Sequence, residues 1–464
     1  MSGIWQTARQ TNENSFANNV RGEGMLQKFF GGVHPNDHKN ATNGKPITPL
    51  KEQPAQVVIP MSMHIGAPCN PVVAKGDVVK VGQLIGETTG LGAPIHASVS
   101  GTVAAVELRP NNSGRPVMSV VIDNDFQNTP AEPLVRPAPV EELTPEQVVA
   151  LVRDAGITGM GGASFPTHVK LSSAIGKADT CIINGAECEP WITADHRLML
   201  EQGMRVIGGA RILMKALGLE TVTIGIEENK RDAIAHLKAL VGDCDDVIIE
   251  GLHTRYPQGA EKQLIQRITG RQVPPGGLPA DVGCCVFNVG TAAAVYDAVV
   301  DGKPLTHRVV TVTGSAIAEP SNFIAPIGTL FEYLIEQAGG FKADPKRVIA
   351  GGPMMGVAQY QLDVPMAKAS NCVLCFSKKD MPAVDKDQSC LRCGRCVNVC
   401  PMHLTPLYMH MYASREDWAQ CEKLRLMDCM ECGSCQYICP ARIPLVQSFR
   451  KAKTGVRGLS AAKK

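Results

Sequence analysis

The sequence predicts a multidomain protein that combines α/β and α+β units and ends in a helical, cysteine-rich domain. Three observations support this prediction. Short strands separated by glycine and proline turns fill residues 56–125, which indicates a small all-β unit. Strands then alternate with helices between residues 181 and 249, as in a mostly parallel sheet with helices on both faces. Two cysteine runs of the same form follow near the C-terminus, ending at Pro401 and Pro440.

Composition limits the classes of function. A chain of 464 residues is long enough for several domains with ample cores. The net charge of +2 predicts no general attraction to nucleic acid. Apolar runs such as 286–300 fall short of the ~20 residues that span a bilayer, so we expect membrane association only through partners. The odd count of 17 cysteines, with no signal peptide expected, fits a reducing cytosol and argues against disulfides.

Each cysteine run has the form C-x2-C-x2-C-x3-C-P, which is the ligand spacing of a two-cluster bacterial ferredoxin. Three thiolates on one tight loop reach three irons of a cubane cluster, and the fourth iron needs a distant thiolate. Gly394 and Gly433 occupy equivalent places where the backbone must pass close to a cluster. The predicted ligands are Cys390, Cys393, Cys396 and Cys439 for one [4Fe–4S] cluster, and Cys400, Cys429, Cys432 and Cys435 for the other.

Structural zinc is the alternative for these cysteines. Zinc sites use four ligands in closed C-x-x-C pairs, so the third cysteine and the proline of each run would be superfluous. Cys372 and Cys375 form a separate C-x-x-C with no second pair nearby. We interpret these two as reduced, partly buried thiols.

The N-terminal part of the chain divides into an arm and a β domain. Residues 1–45 are polar and without period, and predict an extended arm in which the aromatic segment 29–35 docks onto another surface. Residues 46–128 form the predicted all-β domain. At Val73–Leu84 and Ala97–Val103 it resembles the biotinyl/lipoyl-type barrel-sandwich domain. Gly90 stands where that family has its cofactor lysine, so the resemblance implies a scaffold without a covalent cofactor.

A proline-rich linker, residues 129–139, leads into a Rossmann-like α/β domain predicted for residues 140–303. Thr144 is the expected N-cap of its first helix. A glycine-rich loop, 159–170, follows that helix and could place backbone amides against a phosphate or a flat ring. Polar residues from Asn184 to Glu189 end a strand, where open α/β sheets place ligands.

These motifs resemble those of the NADH-oxidising subunit of respiratory complex I. Residues 159–170 match its flavin loop G-x-G-G-A-x-F-P-T-x-x-K, and 184–190 match its N-x-x-E-x-E-P. Residues 256–262 resemble its G-E-E loop, and 287–291 its V-N-N-V-E-T stretch. The resemblance implies noncovalent FMN and NADH as the hydride donor, with NADH stacking near Phe165. The implied cofactor-binding residues are Gly159, Gly161, Gly162, Phe165, Lys170, Asn184, Glu187, Glu189, Glu261, Lys262 and Asn288.

Three positions depart from that family's pattern. Met160 replaces an arginine of the flavin loop, and Ala186 replaces an aspartate. Ala260 replaces the first acid of the G-E-E loop. The departures concern the placement of nicotinamide and adenosine more than flavin binding.

Three further regions complete the chain. Residues 304–370 predict a β-grasp (SLBB-type) domain, which we interpret as a spacer between flavin and clusters. Residues 380–445 predict the two-cluster domain, and the helical pattern between Pro401 and Asp428 favours the helical ferredoxin type. Residues 446–464 are basic, and we expect a solvated, disordered tail, with binding to anionic lipid or an acidic protein partner as the alternative.

This order of domains resembles the RnfC/RsxC family, which belongs to the Rnf ion-translocating electron-transport complexes. The resemblance implies a peripheral subunit on the cytoplasmic side of the bacterial inner membrane, which exchanges electrons between NAD(H), FMN and two [4Fe–4S] clusters. Its implied partners are other Rnf subunits, including integral membrane subunits and a ferredoxin-like iron–sulfur protein, and, indirectly, ferredoxin. Two alternatives are a flavin-free relay and docking subunit of the same kind of complex, and a soluble hydrogenase or formate dehydrogenase with the same NADH module.

Overall fold

The computed structural model describes residues 29–381 and 389–462. Residues 1–28 of the predicted arm and Lys463 and Lys464 of the predicted tail lie outside this range. Within it, no helix combines the length and apolar character that a membrane span requires.

The first domain folds into two small sheets, with strand orders β2-β8-β7-β4 and β3-β5-β6. Alternating apolar residues such as Val57, Ile59 and Ile122 point inward and are fully buried. This confirms the predicted barrel-sandwich domain. The first strand is an exception, because β1 leaves this domain and joins a later sheet. The strands are β1 Ile47–Pro49, β2 Gln56–Pro60, β3 Asn70–Pro71, β4 Val78–Val79, β5 Leu84–Glu87, β6 Ile95–His96, β7 Gly101–Pro110 and β8 Pro116–Asn124.

The second domain is a four-stranded, fully parallel sheet in the order β11-β10-β9-β12, which confirms the predicted Rossmann-like unit. The Thr144 hydroxyl accepts from the Gln147 amide in a complete capping box that starts α1. Its elements are α1 Pro145–Asp154, α2 Thr167–Ala174, β9 Thr180–Asn184, α3 Ala194–Glu201, α4 Gly203–Ala216, β10 Val222–Glu227, α5 Arg231–Val241, β11 Val247–Leu252, α6 Glu261–Thr269, β12 Cys284–Asn288 and α7 Val289–Val300.

Two successive helices, α3 and α4, follow β9. Gln202 leaves the helical conformation, with φ −133° and ψ 32°. Gly203 then passes so close to α5 that a Cβ atom there would lie 2.6 Å from a methyl carbon of Leu240. The close approach of α5 therefore selects glycine at the start of α4.

The third domain is the predicted β-grasp unit, built on a six-stranded sheet in the order β1-β14-β13-β17-β15-β16. Two strands extend it beyond the predicted limits of 304–370. β1 pairs in parallel with β14, and β17 lies between β13 and β15. The Cys372 and Cys375 thiols belong to β17 and are fully buried. The elements are β13 His307–Thr313, β14 Ser321–Pro326, α8 Phe331–Gln337, β15 Pro345–Ala350, β16 Val357–Gln359 and β17 Cys372–Ser377.

The fourth domain is helical, as the segment between Pro401 and Asp428 predicts. The disordered tail expected after residue 445 is wrong for the described part, because it forms an 18-residue helix, α13. Phe449, Ala452 and Val456 of α13 are buried in the core of the cysteine domain. The helices are α9 Arg395–Asn398, α10 Pro406–Ala413, α11 Trp418–Lys423, α12 Ser434–Tyr437 and α13 Leu445–Ala462.

The described part of the N-terminal arm, residues 29–45, docks as predicted. Phe29 is only 3% exposed, and Val33 pairs with Tyr256 of the parallel-sheet domain. The amide of Gly32 donates to the carbonyl of Val399 in the cysteine domain at 2.8 Å. One segment therefore joins the two domains directly.

Candidate flavin and iron–sulfur sites

The eight cysteines of the two runs surround two separate cavities. We call the first the outer pocket, and the second the inner pocket. In each pocket, three cysteines of one run meet the last cysteine of the other. The cysteines that line the outer pocket are Cys390, Cys393, Cys396 and Cys439, and those that line the inner pocket are Cys400, Cys429, Cys432 and Cys435.

The two loops have the same backbone plan. Gly394 and Gly433 adopt φ values of +74° and +80° and open the short helices α9 and α12. Arg392 and Glu431 hold equivalent left-handed positions, at φ 52° and 59°. Their amides donate to the sulfurs of Cys390 and Cys429, each at 3.4 Å. Amide donors stabilise thiolate charge, so both loops are shaped to hold ligands for an electropositive group.

The pockets differ in exposure. Cys390 and Cys393 of the outer pocket are exposed, whereas Cys400, Cys432 and Cys435 of the inner pocket are buried. Burial raises the pKa of the Cys429 thiol to about 11. A thiolate there consequently depends on the positive charge of a bound metal.

The inner pocket lies against the parallel-sheet domain. The Tyr256 hydroxyl donates to the carbonyl of Cys432 at 2.6 Å. From α6, the side-chain amide of Gln263 donates to the carbonyl of Pro401 at 3.3 Å. Both contacts reach residues that belong to, or directly follow, the cysteines of this pocket.

A second site lies at the carboxyl edge of the parallel sheet. The chain runs from β9 to β10 and β11 on one side, and then returns to place β12 on the other side of β9. Such a reversal of strand order opens a crevice that binds ligands in open α/β sheets. Asn184 and Asn288 end β9 and β12 in register at this point. The side chain of Asn288 also caps α7 by accepting from the Gly290 amide.

The glycine-rich loop covers this crevice. Gly161, at φ +79°, passes so close to Asn288 that a Cβ atom would lie 3.1 Å from its side-chain nitrogen. Gly162 faces open space and is exposed. Phe165 is half-buried, and its carbonyl accepts from the Gly159 amide at 2.8 Å. The loop thus exposes glycine backbone, without side chains, next to the strand ends at Asn184 and Asn288.

Lys170 and Glu261 meet beside the crevice. The Lys170 ammonium lies 2.5 Å from a carboxylate oxygen of Glu261, and it donates to the Val286 carbonyl at 2.8 Å. The side chains are 29% and 38% exposed, so both remain accessible to a ligand. Lys262 lies apart from this pair and reaches the carbonyl of Pro274.

Glu187 and Glu189 are occupied by protein donors, which differs from the expected flavin contacts. One oxygen of Glu187 accepts from the Asp195 amide at the start of α3 at 2.7 Å. Glu189 accepts from the amides of Met354 and Met355 in the β-grasp domain. Burial raises the pKa of each of these two carboxyl groups to about 7. Both carboxylates shape the crevice through neighbouring segments, and their contact with flavin stays a prediction.

Sequence reasoning missed three charged residues around the crevice: Lys39, Asp195 and Arg308. The ammonium of Lys39 donates to the Glu187 carbonyl at 2.8 Å, and Asp195 accepts from the Asn288 side chain at 2.7 Å. Arg308 enters from β13 of the next domain. Lys39 and Arg308 come from regions far along the chain, so no local pattern signals them.

The residues present fit both kinds of cofactor. Each cavity offers four thiols around a space larger than a single ion, and backbone amides point at the sulfurs. At the crevice, exposed glycine backbone and the accessible side chain of Lys170 suit a phosphorylated ring system. The fold and sites define a modular flavin and iron–sulfur electron-transfer protein.

Family models match four successive parts of the chain. The RnfC barrel-sandwich hybrid domain matches residues 27–127, and the Nuo51 FMN-binding domain matches 152–297. The SLBB domain matches 309–358, and the 4Fe-4S dicluster domain matches 389–443.

Curated relatives extend over nearly the whole chain. The C subunit of the Na⁺-translocating ferredoxin:NAD⁺ oxidoreductase complex of Acetobacterium woodii is 49% identical over 92% of this chain and 96% of its own. Its counterpart in the proton-translocating ferredoxin:NAD⁺ oxidoreductase complex of Clostridium ljungdahlii is 48% identical over 93% and 94%. The corresponding protein of the ion-translocating oxidoreductase complex of Salmonella arizonae is 42% identical over 93% of this chain and 64% of its own. The chain belongs to the RnfC family of Rnf complex subunits.

Proposed function

We propose that the protein is the flavin and iron–sulfur subunit of an ion-translocating ferredoxin:NAD⁺ oxidoreductase, in which it exchanges electrons between NAD(H), FMN and two [4Fe–4S] clusters. The observation that carries this proposal is the contact between the parallel-sheet domain, which contains the crevice, and the inner pocket. The domain with the flavin crevice packs directly on the inner pocket through Tyr256 and Gln263. Direct packing of the domain with the crevice on the inner pocket suits electron exchange within one chain.

The residues of the crevice hold and orient the cofactor. Exposed backbone at Gly161 and Gly162 gives a flat ring or phosphate close access, and Lys170 supplies a positive charge. Asn184 and Asn288 hold the strand ends in place, because the Asn184 side chain donates to the Gly259 carbonyl and the Asn288 side chain donates to Asp195. FMN supplies the conversion between a two-electron hydride and single electrons. Hydride transfer needs no acid or base from the protein, so these residues act by placement and charge.

The positions of the two pockets predict the order in which electrons pass between the cofactors. The inner pocket contacts the flavin domain and is buried, whereas the outer pocket exposes Cys390 and Cys393. The inner cluster is therefore next to the flavin, and the outer cluster faces an external partner. Other Rnf subunits are the partners, including membrane subunits and a ferredoxin-like iron–sulfur protein. We place the chain peripherally, on the cytoplasmic side of the membrane.

Anaerobic reduction of the purified full-length protein tests the proposal. We expect NADH to bleach the flavin absorbance and to produce the EPR signals of reduced clusters in the same sample. Acid release of the bound cofactor should yield FMN. Clusters that respond to dithionite but not to NADH, in a protein without FMN, would instead support the flavin-free relay.

A further inference from the structure

Arg308 belongs to the β-grasp sheet but lies beneath the glycine loop of the neighbouring domain. It is 6% exposed, near the start of β13. One guanidinium nitrogen donates to the sulfur of Met160 at 2.6 Å. The same nitrogen would lie 2.9 Å from a Cβ atom at Gly290, the residue whose amide Asn288 caps. The side chain thus reaches the floor of the flavin crevice.

The charge of Arg308 is incompletely compensated by the protein. Burial lowers its pKa, and Asp195 is the acid that acts in the opposite direction. Its Nε atom has no hydrogen-bond partner within the described parts of the chain. A thioether is a weak acceptor, so Met160 adds little. Burying a charge in this way is costly unless a further negative charge arrives.

Neighbouring cations are matched by acids of their own. Lys39 lies near Glu187, and Lys230 lies near Glu227. Lys170 pairs with Glu261 at the side of the crevice. The guanidinium of Arg308, which comes from another domain, lies against Met160 of the glycine-rich loop. Arg308 therefore places a positive charge at the floor of the crevice.

We propose that Arg308 is a positioning residue that stabilises the reduced state of the flavin, an inference that rests on the proposed function. Hydride transfer from NADH moves one hydrogen nucleus and two electrons, so NAD⁺ leaves and the bound cofactor gains one negative charge. A fixed cation in a buried setting favours that extra charge. The β-grasp domain consequently sets the flavin potential and is more than a spacer.

The test uses the full-length protein with FMN and both clusters, and compares Arg308→Met with Arg308→Lys. The flavin midpoint potential is measured by anaerobic spectral titration, and the affinity for oxidised FMN by its fluorescence. We expect Arg308→Met to weaken binding of reduced FMN at least tenfold relative to oxidised FMN. That ratio lowers the potential of a two-electron couple by about 30 mV. Arg308→Lys should retain most of the wild-type potential.

Two further variants sharpen the result. Arg347→Met removes an exposed arginine of the same sheet and should leave the potential unchanged. Met160→Arg combined with Arg308→Met returns the cation from the loop side and should restore the potential. The double variant also serves if the single variant does not fold, with cluster EPR signals as the check on folding.

Specific outcomes overturn the inference. An unchanged potential in folded Arg308→Met, or equal weakening of oxidised and reduced FMN, would reduce Arg308 to a packing role. Failure of the double variant to restore the potential would do the same. Wild-type protein that binds no FMN contradicts the proposed function itself, which separates the two failures.

Discussion

Cys400 and Cys439 each close a run of sequence, yet each lines the pocket of the opposite run. The crossing makes the two clusters interdependent in folding but separable by mutation. It also gives each pocket one ligand from a distant loop, so metal binding ties the loops together.

We predict that Cys400→Ser removes only the inner cluster and Cys439→Ser only the outer one. Each variant should lose about half of its iron, because serine replaces one thiolate of four. Iron analysis and EPR measure this, and Cys421→Ser is the matched control, since Cys421 is fully buried in the same core but lines neither pocket. Loss of the outer cluster in Cys400→Ser would contradict the crossed arrangement.

The spacing of the cysteines predicts which four line each pocket. It does not predict the hydrogen-bond donors to Glu187 and Glu189 at the crevice. The cysteine ligands lie on short loops whose form follows from local spacing. The carboxylate of Glu189, in contrast, accepts from Met354, 165 residues away. Arg308 meets Met160 across 148 residues. Contacts of this kind depend on how domains pack, which no local motif encodes.

At the scale of elements, helix α13 has an apolar face with helical spacing, which the many basic residues of the segment obscure in the sequence. Leu445, Phe449, Ala452 and Val456 follow helical spacing and form its buried face. The basic residues on the remaining face suggested a solvated tail. Lys453 is in fact anchored, because its ammonium lies 2.8 Å from Glu431 in the inner-pocket loop.

We predict opposite effects for two glycine substitutions in α13. Gly455→Ala would place a Cβ atom 2.6 Å from the Trp418 ring and should destabilise the domain by about 1–3 kcal/mol. Gly458 has open space around it, so Gly458→Ala should stabilise the helix by up to ~1 kcal/mol. Thermal unfolding and cluster content measure both. Equal stability of the two variants would show that α13 is not docked on α11.

The sequence analysis does not predict strands β1 and β17, and the reason differs from that for α13. β1 has three residues, too few for a recognisable period, and its partner β14 lies far along the chain. β17 was interpreted through its C-x-x-C spacing, although Cys372 to Ser377 is an apolar, buried strand. The longer, alternating strands and the capped helix α1 carried enough local information to be predicted.

At the scale of the whole molecule, the side chain of Lys368 links three domains through its hydrogen bonds. From the β-grasp domain, its ammonium donates to the carbonyl of Pro94 in the barrel-sandwich domain at 2.5 Å. It also donates to the carbonyl of Gly156, just after α1, at 2.6 Å. Burial lowers its pKa to about 7.

This lysine predicts a pH-dependent stability. Below pH 7 the folded and unfolded chains both carry the proton. Between pH 7 and about 10.4 the folded chain has released it and the unfolded chain keeps it, so stability rises with pH. Lys368→Met should lack this rise, which we expect to amount to several degrees, since 1 kcal/mol corresponds to ~2–4 °C in domains of 150–250 residues.

Thermal unfolding from pH 6.5 to 9.5 measures the difference between the two proteins. Lys342→Met is the control, because Lys342 is an exposed lysine of the same domain. Parallel pH profiles for wild type and Lys368→Met would show that the buried ammonium does not titrate in this range.

The N-terminal segment has a consequence for synthesis. Residues 29–33 pair with Tyr256 and with Val399, and β1 pairs with β14. A ribosome produces this segment first, but its last docking surface appears only when the cysteine domain emerges. Residues 29–33 can therefore complete their docking only after the cysteine domain has been synthesised.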